Sequence, residues 1–250
     1  MATFKIVSNR EVATNTYELW LEGDASGMRT PGQFVTLTIP GFFLSRPLSV
    51  AEWTDTSMRI FYKAVGDGTK KLASMKEGGL DVTTGLGNGY IHPHPEGKTP
   101  VLIAGGSGVP PMLGLTKKFV AEGLTPVVIL GFNREDELFL TEDFKEAGAD
   151  LRIATADGSV GAKGFVTTPL EEVIAEKGAD ALYVYACGPL PMFRSVVSIM
   201  DREQIDGSFS MEERMGCGMG ICYGCSIKTK QGMRRVCKEG PVFKKEAILW

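Results

Sequence analysis

The sequence predicts a multidomain β plus α/β fold: an antiparallel barrel, then a doubly wound parallel sheet, then a small C-terminal segment. Three observations lead to this prediction. Short stretches of alternating apolar and polar residues fill the first hundred positions, and continuous apolar strands alternate with helix-length segments after residue 100. Four of the five cysteines fall within the last forty residues. We therefore expect three domains, at 1–97, 98–207 and 208–250.

The barrel is predicted from strand-like alternation at 16–21, 33–39 and 57–63, separated by glycine- and proline-containing turns. Many short strands at this spacing are typical of a closed antiparallel barrel. One brief helix is expected near 69–75, with Thr69 as its N-cap. The proline-rich stretch 92–97 ends the pattern and is interpreted as a linker. Its two histidines resemble metal ligands, but a plain loop is the better interpretation because they have no partner ligands nearby.

The parallel sheet is predicted from four apolar runs, at 101–104, 127–130, 151–154 and 182–185. Helix-length segments separate or follow them at 110–122, 137–147, 167–177 and 189–204. Apolar strands that alternate with helices form parallel sheets covered on both faces. A fifth strand is expected to end near Phe209 and Met211, directly before the cysteine-rich segment.

Composition excludes several classes of function. The chain has 250 residues and a net charge of −3, which argues against a general nucleic-acid binder. No run approaches eighteen apolar residues, so no membrane span is expected. The N-terminus has no secretory signal pattern, and unpaired cysteines favour the cytoplasm. The last forty residues carry eight Lys and Arg against four Asp and Glu, which indicates either a solvated surface or a docking face for an acidic partner.

The C-terminal cysteines are the most informative motif. They read C-x4-C-x2-C, followed by eleven residues and a fourth cysteine, in a glycine-rich context. This arrangement is typical of [2Fe–2S] ligands, and glycine lets the backbone aim N–H groups at the sulfurs. Structural zinc and plain thiols remain alternatives, although zinc ribbons usually pair two C-x2-C knuckles. The predicted ligands are Cys217, Cys222, Cys225 and Cys237.

Two loops at strand ends of the parallel sheet are suited to a nucleotide. The first apolar strand runs into Gly105-Gly106-Ser107-Gly108-Val109-Pro110, where a helix N-terminus would face an anion. The run 182–185 leads into Cys187-Gly188-Pro189, and ligands of open sheets bind at the carboxyl ends of strands. Such turns are also common packing devices, and a lone cysteine is commonly a buried apolar residue.

The barrel carries two further candidate motifs. Arg46-Pro47-Leu48-Ser49 combines a guanidinium suited to phosphate oxygens with a small hydroxyl. Gly68 and Thr69 open the short helix, whose N–H groups would bind a pyrophosphate. An ordinary hairpin turn and an ordinary helix cap are the alternative interpretations.

The order R-P-L-S, G-D-G-T, G-L-G-N-G, G-G-S-G-V-P-P, C-G-P resembles the ferredoxin-reductase superfamily over nearly the whole chain. The segment E-R-M-G-C-G-M-G-I-C-Y-G-C with V-C-K-E-G-P-V-F resembles electron-transfer subunits of class 1B dihydroorotate dehydrogenases. The resemblance implies that FAD binds in the barrel, NAD on the parallel sheet and [2Fe–2S] at the four cysteines. It implies catalytic positions for Ser49, near the reactive flavin nitrogen, and Cys187, facing the nicotinamide. The remaining implied contacts are Arg46, Pro47, Leu48, Phe61, Tyr62, Lys63, Gly68 and Thr69 for FAD, and Gly105, Gly106, Ser107, Gly108, Pro110, Gly188 and Pro189 for NAD.

The resemblance also implies the electron path. Electrons would pass from dihydroorotate through an FMN-containing catalytic subunit, the cluster and FAD to NAD+, in pyrimidine biosynthesis. Two copies of each chain would form a cytoplasmic heterotetramer. Alternatives are an NAD(P)H–ferredoxin oxidoreductase, a hydrogenase diaphorase subunit and a redox-sensing regulator. Leu48 stands where the superfamily usually has tyrosine. Only eleven residues separate the third and fourth cysteines, and this short spacing favours the dihydroorotate type over oxygenase reductases.

The choice between NAD and NADP stays open from the residues alone. The strand at 127–130 is followed by Gly131-Phe132-Asn133-Arg134, without an acidic residue placed to bind a ribose hydroxyl. Arg134 would tolerate a phosphate. Only the resemblance favours NAD.

Overall fold

A computed structural model describes all 250 residues. Its first part is a closed six-stranded antiparallel barrel in the order β1-β2-β5-β4-β3-β6. The strands are β1 Ala2–Ala13, β2 Thr16–Glu22, β3 Phe34–Thr38, β4 Arg46–Trp53, β5 Ser57–Lys63 and β6 Gly79–Leu86. Alternate side chains point inward, as period-2 patterning requires, and form a buried apolar cluster that includes Leu19, Leu21 and Ile60. The predicted barrel is confirmed.

The helix α1, Asp67–Ser74, connects β5 to β6. It begins two residues before Thr69, so the expectation that Thr69 is the N-cap is wrong. Gly66 is the N-cap, and Thr69 occupies the third helical position. The Thr69 hydroxyl donates to the Gly66 carbonyl at 3.0 Å and accepts from the Gly66 N–H at 3.2 Å. The side chain therefore ties the first turn together from inside the helix.

The second part is a parallel sheet in the order β10-β9-β8-β7-β11-β12. Its strands are β7 Thr99–Gly105, β8 Val127–Phe132, β9 Asp150–Thr155, β10 Ala162–Lys163, β11 Leu182–Cys187 and β12 Gly207–Ser210. Helices α2 Val109–Ala121, α3 Thr141–Glu146, α4 Thr167–Lys177 and α5 Leu190–Arg202 cover it. The strand order reverses between β7 and β11, and ligands of doubly wound sheets bind at that point.

One predicted helix is shorter than expected. The sequence predicts a helix over 137–147, but α3 covers only Thr141–Glu146. The residues before it form a 3-10 turn at Glu135–Glu137 and an irregular stretch in which Phe139 and Leu140 are buried. Leu140 has a left-handed backbone (φ +63°), which prevents the helix from extending backwards. Burial of two large apolar side chains outweighs the helix pattern here.

The C-terminal segment is attached to both other parts. It contains a hairpin of β13 Ser226–Thr229 and β14 Gly232–Arg235, followed by β15 Val242–Lys244. Strand β15 pairs antiparallel with β12 and so adds a seventh strand to the sheet, which the sequence did not predict. The Asn88 side chain, just after β6, donates to the Glu239 and Val242 carbonyls at 3.1 and 2.8 Å.

Charged side chains join the barrel to the parallel sheet. Arg59 of β5 is mostly buried and pairs with Glu18 at 2.7 Å and Glu52 at 2.9 Å in the barrel, and with Asp143 of α3 across the boundary. Lys117 of α2 also pairs with Glu52. These ion pairs link α2 and α3 to the barrel strands, and each partner compensates for part of the desolvation of the others. None of the helices combines the length and apolar character that crossing a membrane requires.

Candidate functional site

A cavity of about 430 Å³ lies where the three parts meet. The barrel contributes the ends of β4 and β5, the sheet contributes the loops after β7 and β11, and the C-terminal segment contributes the stretch after β12. Nine of the sequence-predicted site residues line it: Pro47, Leu48, Ser49, Phe61, Tyr62, Lys63, Gly106, Ser107 and Cys187. The structure therefore brings together residues that the sequence separates by up to 140 positions.

A second cavity of about 360 Å³ continues along the sheet edge. Lys63 and Gly106 line both cavities, so the two adjoin at the end of β7. Gly105 and Pro189 are the other predicted residues in the second cavity. Together the two cavities form one crevice at the topological switch point, where ligands of doubly wound sheets bind.

Three predicted FAD residues, Arg46, Gly68 and Thr69, lie outside these cavities, and Arg46 contacts Gly68. A Cβ built on Gly68 would stand 2.5 Å from an Arg46 guanidinium nitrogen, so the guanidinium lies flat against the first turn of α1. Arg46 also lies over the Phe42 ring at 5.0 Å and donates to the Leu44 carbonyl. A fixed guanidinium beside exposed helix N–H groups, next to Thr69, is suited to a pyrophosphate.

The two sheet loops are in direct contact. Gly108 packs against the Cys187 carbonyl so closely that any Cβ would overlap backbone atoms. Gly188 has φ +152°, and a Cβ built on it would stand 3.0 Å from the Gly105 carbonyl oxygen. Pro110 is buried in the first turn of α2, as expected for a proline that starts a helix. The glycines therefore allow close backbone packing between the two loops, and Gly108, Pro110 and Gly188 line neither cavity.

The Cys187 thiol is buried at the floor of the first cavity. Burial raises its pKa well above the usual value, the nearby Glu212 carboxylate raises it further, and a hydrogen bond with Ser210 opposes the shift. The side chain is therefore a neutral thiol at physiological pH. Such a group packs against a ring or donates a weak hydrogen bond, and does not act as a nucleophile.

Sequence reasoning missed Glu212, which follows β12 and lines the first cavity. Ser107 donates to its carboxylate at 3.2 Å. Glu212 is open to the cavity, yet desolvation by the surrounding protein raises its pKa above the ordinary value. The Ser107 hydrogen bond only partly offsets this shift. The position of Glu212 in the sequence could have indicated it, because it is an acidic residue just after β12, the strand that pairs with the Cys187 strand β11.

Sequence reasoning also missed Glu137, which lines the second cavity. Asn133 donates to both of its carboxylate oxygens at 3.1 Å, and Lys63 pairs with it at 3.2 Å. The Arg134 side chain instead pairs with Asp136 at 3.1 Å and is not among the residues that line the cavity. The crevice therefore contains an acidic group at Glu137, four positions after Asn133, although residues 131–134 include none.

The cysteine loop directs backbone N–H groups at sulfur. Met219, Ile221 and Cys222 donate to Cys217 Sγ at 3.4, 3.3 and 3.4 Å, and together these bonds lower the pKa of Cys217 to about 6, with the Cys222 and Met219 bonds having the largest effects. Gly220 donates to Cys237 Sγ at 3.1 Å. This loop therefore stabilises thiolates.

Cys225 is held close to Cys237. Cys237 N–H donates to Cys225 Sγ at 3.4 Å, and both side chains are buried, whereas Cys222 is exposed. Burial and the neighbouring Cys225 raise the pKa of Cys237 to about 12. In this conformation no three of these sulfurs are grouped as ligands of a single metal ion. What fits an iron–sulfur cluster is the donor set: four cysteines in one compact segment, with N–H groups pointing at three of their sulfurs.

Comparisons with known proteins agree with this site. Residues 212–249 match the iron–sulfur cluster binding domain of dihydroorotate dehydrogenase B, and residues 102–198 match an oxidoreductase NAD-binding domain. A solved chain of the NADH-dependent reduced ferredoxin–NADP oxidoreductase, studied for flavin-based electron bifurcation, superposes with a TM-score of 0.87 at 28% identity, over 99% of this chain and 90% of that chain. A ferredoxin NADP+ reductase from Neisseria gonorrhoeae with bound FAD and NADP shares the fold, with a TM-score of 0.67 at 20% identity over 80% and 90%.

Fold and site thus define a flavin- and nicotinamide-linked oxidoreductase of the ferredoxin-reductase type with an appended iron–sulfur segment. Curated relatives narrow this further. The electron transfer subunits of dihydroorotate dehydrogenase B (NAD(+)) from Fusobacterium nucleatum and Caldanaerobacter subterraneus are each 39% identical, over 95% and 98% of this chain and 94% and 97% of their own. The chain belongs to this family of electron transfer subunits.

Proposed function

We propose that this chain passes electrons between NAD(H) and the catalytic subunit of a dihydroorotate dehydrogenase, with FAD and [2Fe–2S] bound along the way. The observation that supports this most is the first cavity, whose walls come from the barrel, the parallel sheet and the cysteine segment at once. A relay needs its three redox groups close together, and a shared cavity keeps them so. The 39% identical relatives favour this function over a ferredoxin- or hydrogenase-linked reductase.

We infer that the barrel holds FAD. Arg46, Gly68 and Thr69 would bind its pyrophosphate, because a guanidinium and helix N–H groups converge there. Pro47, Leu48 and Ser49 of β4 and Phe61, Tyr62 and Lys63 of the neighbouring β5 would line the ring system from the barrel, with the Ser49 hydroxyl as a hydrogen-bond partner. When bound, FAD exchanges hydrides with a nicotinamide and single electrons with a cluster.

The second cavity, together with the part of the first that Gly106, Ser107 and Cys187 line, is the proposed NAD site. Gly105, Gly106, Ser107 and Gly108 would leave room for the pyrophosphate, Pro110 would start the helix that faces it, and Gly188 and Pro189 would close the opposite wall. Cys187 would contact the nicotinamide as a neutral thiol, which keeps a buried negative charge away from the reacting ring. The Glu137 carboxylate in the second cavity favours a free ribose hydroxyl over a phosphate, so we propose NAD.

We propose that Cys217, Cys222, Cys225 and Cys237 ligate the cluster, and that the partner docks over this loop. Exposed apolar side chains surround it: Met219 is 53% exposed, Ile221 74% and Tyr223 63%. Apolar side chains this exposed, grouped in one loop, indicate a binding surface. The partner would be an FMN-containing catalytic subunit in a heterotetramer with two copies of each chain. The five free thiols are consistent with the cytoplasm.

Co-purification followed by reconstitution tests this function. The chain is isolated from its native cells together with its bound partner, and the partner is identified by mass spectrometry. The proposal expects a flavoprotein that oxidises dihydroorotate. NAD+ reduction by dihydroorotate should require both chains together, with each chain alone as the control. A ferredoxin or a hydrogenase subunit as the bound partner would contradict the proposal.

A further inference from the structure

Arg235 lies between the two stretches of chain that carry the four cysteines. Its guanidinium donates to the Gly220 carbonyl at 2.5 Å, lies over the Tyr223 ring at 4.5 Å and pairs with Glu239, to which its Nε donates at 3.1 Å. Gly220 and Tyr223 belong to the first stretch, whereas Arg235 and Glu239 flank Cys237 in the second. A single side chain therefore connects both halves of the ligand set.

The contact with Gly220 has a consequence at a sulfur. The Gly220 carbonyl and the Ile221 N–H belong to the same peptide group, which is planar and trans. In a trans peptide the C=O and N–H bonds point in opposite directions, so fixing one aims the other. The Ile221 N–H donates to Cys217 Sγ at 3.3 Å. Arg235 and Cys217 thus lie at opposite ends of one peptide group.

We propose that Arg235 is a positioning residue that, through the Gly220–Ile221 peptide, holds and strengthens the N–H bond to Cys217 sulfur and thereby raises the cluster's reduction potential. A cation at the carbonyl oxygen polarises the peptide and makes its N–H a stronger donor. N–H bonds to cluster sulfurs stabilise negative charge, which is greatest after reduction. The inference rests on the proposed cluster site.

Glu239 gives the inference a distinctive signature. Its carboxylate neutralises Arg235 but does not contact the Gly220 carbonyl. Glu239→Gln should leave the peptide contact in place and free the positive charge, which shifts the midpoint potential upward. Arg235→Gln should remove both the contact and the charge, which shifts it downward. A purely structural clamp would instead change both variants in the same direction.

Arg235→Lys separates charge from geometry. Lysine keeps the charge, but its single ammonium cannot pair with Glu239, reach the carbonyl and lie flat on Tyr223 as the planar guanidinium does. We expect a downward shift smaller than that of Arg235→Gln. The matched control is Arg234→Gln, which removes the neighbouring arginine, whose side chain donates a hydrogen bond to Gln231 at 3.3 Å.

The experiment uses the full-length chain purified with its cluster. The midpoint potential is measured by dye-mediated titration followed by EPR, and iron and sulfide contents are measured alongside. Opposite shifts for Glu239→Gln and Arg235→Gln, with Arg234→Gln close to the unmodified chain, support the inference. Arg235→Lys at the unmodified potential, or Glu239→Gln unchanged or lower, overturns it.

Two safeguards keep the outcome clear. If Arg235→Gln and Arg235→Lys lose their iron, Glu239→Gln still decides the question, because it retains the arginine. Failure of the cluster assignment is recognised separately, since the unmodified chain would then lack iron and sulfide. In that case the proposed function and this inference are both contradicted.

Discussion

Replacing Gly68 with alanine should separate flavin affinity from stability. A Cβ at this position would stand 2.5 Å from the Arg46 guanidinium, which must then leave the first turn of α1. The guanidinium is the end of a flexible side chain, so the fold tolerates its displacement. Gly68 lies inside α1, where alanine is favoured over glycine by about 1 kcal/mol. The variant should therefore unfold at the same temperature or slightly higher.

Flavin binding should respond in the opposite direction. A hydrogen bond to a charged group contributes about 1.5–3 kcal/mol, so loss of the Arg46 contact to a pyrophosphate should weaken FAD binding by about 10- to 150-fold. The assay is calorimetric titration of the flavin-free chain with FAD, together with thermal unfolding without FAD.

Gly66→Ala is the matched control in the same turn. No atom lies within 4 Å of the Cβ that it would add, and its backbone φ is −109°. As Gly66 is the N-cap, alanine there should cost up to about 1 kcal/mol of stability. FAD affinity should remain unchanged. A Gly68→Ala chain that binds FAD as tightly as the unmodified chain would refute the assignment of Arg46 to the pyrophosphate.

Three further predictions concern the thiols and the crevice. Cys222→Ser should abolish electron delivery to the partner and leave NADH-driven ferricyanide reduction within about twofold, since the flavin and NAD sites are intact; equal loss of both activities would contradict this. In the iron-free chain, iodoacetamide should label Cys217 first, because its pKa is lowered to about 6, and leave Cys187 unlabelled up to about pH 9, because burial raises its pKa; peptide mass spectrometry measures both. Glu137→Gln should lower the ratio of the NADPH to the NADH dissociation constant by about five- to tenfold by removing a carboxylate from the second cavity, whereas the exposed Glu135→Gln should not.

The fold was largely predictable because its patterns are local. Period-2 alternation identified β2, β3 and β5, and continuous apolar runs identified β7, β8, β9 and β11. The predictions failed where distant contacts decide the structure. Burial of Phe139 and Leu140 replaced the first half of a predicted helix, and β15 joined the sheet through pairing with β12, which no local pattern indicates.

The candidate site was predictable to the extent that motifs mark it. Glycine-rich loops and paired cysteines have short signatures, and the structure brings many of these residues to one crevice. Glu212, Glu137 and Arg235 have no such signature. Their importance comes from where β12, the 3-10 turn and the C-terminal hairpin place them, which depends on tertiary packing.

Anaerobic reduction of the purified chain by NADH tests the central claim most directly. The account predicts that the chain holds flavin together with iron and sulfide, and that NADH alone bleaches the flavin and produces the EPR signal of a reduced [2Fe–2S] cluster. Bound zinc instead of iron, or a cluster that dithionite reduces and NADH leaves oxidised, even with the partner present, would contradict the account.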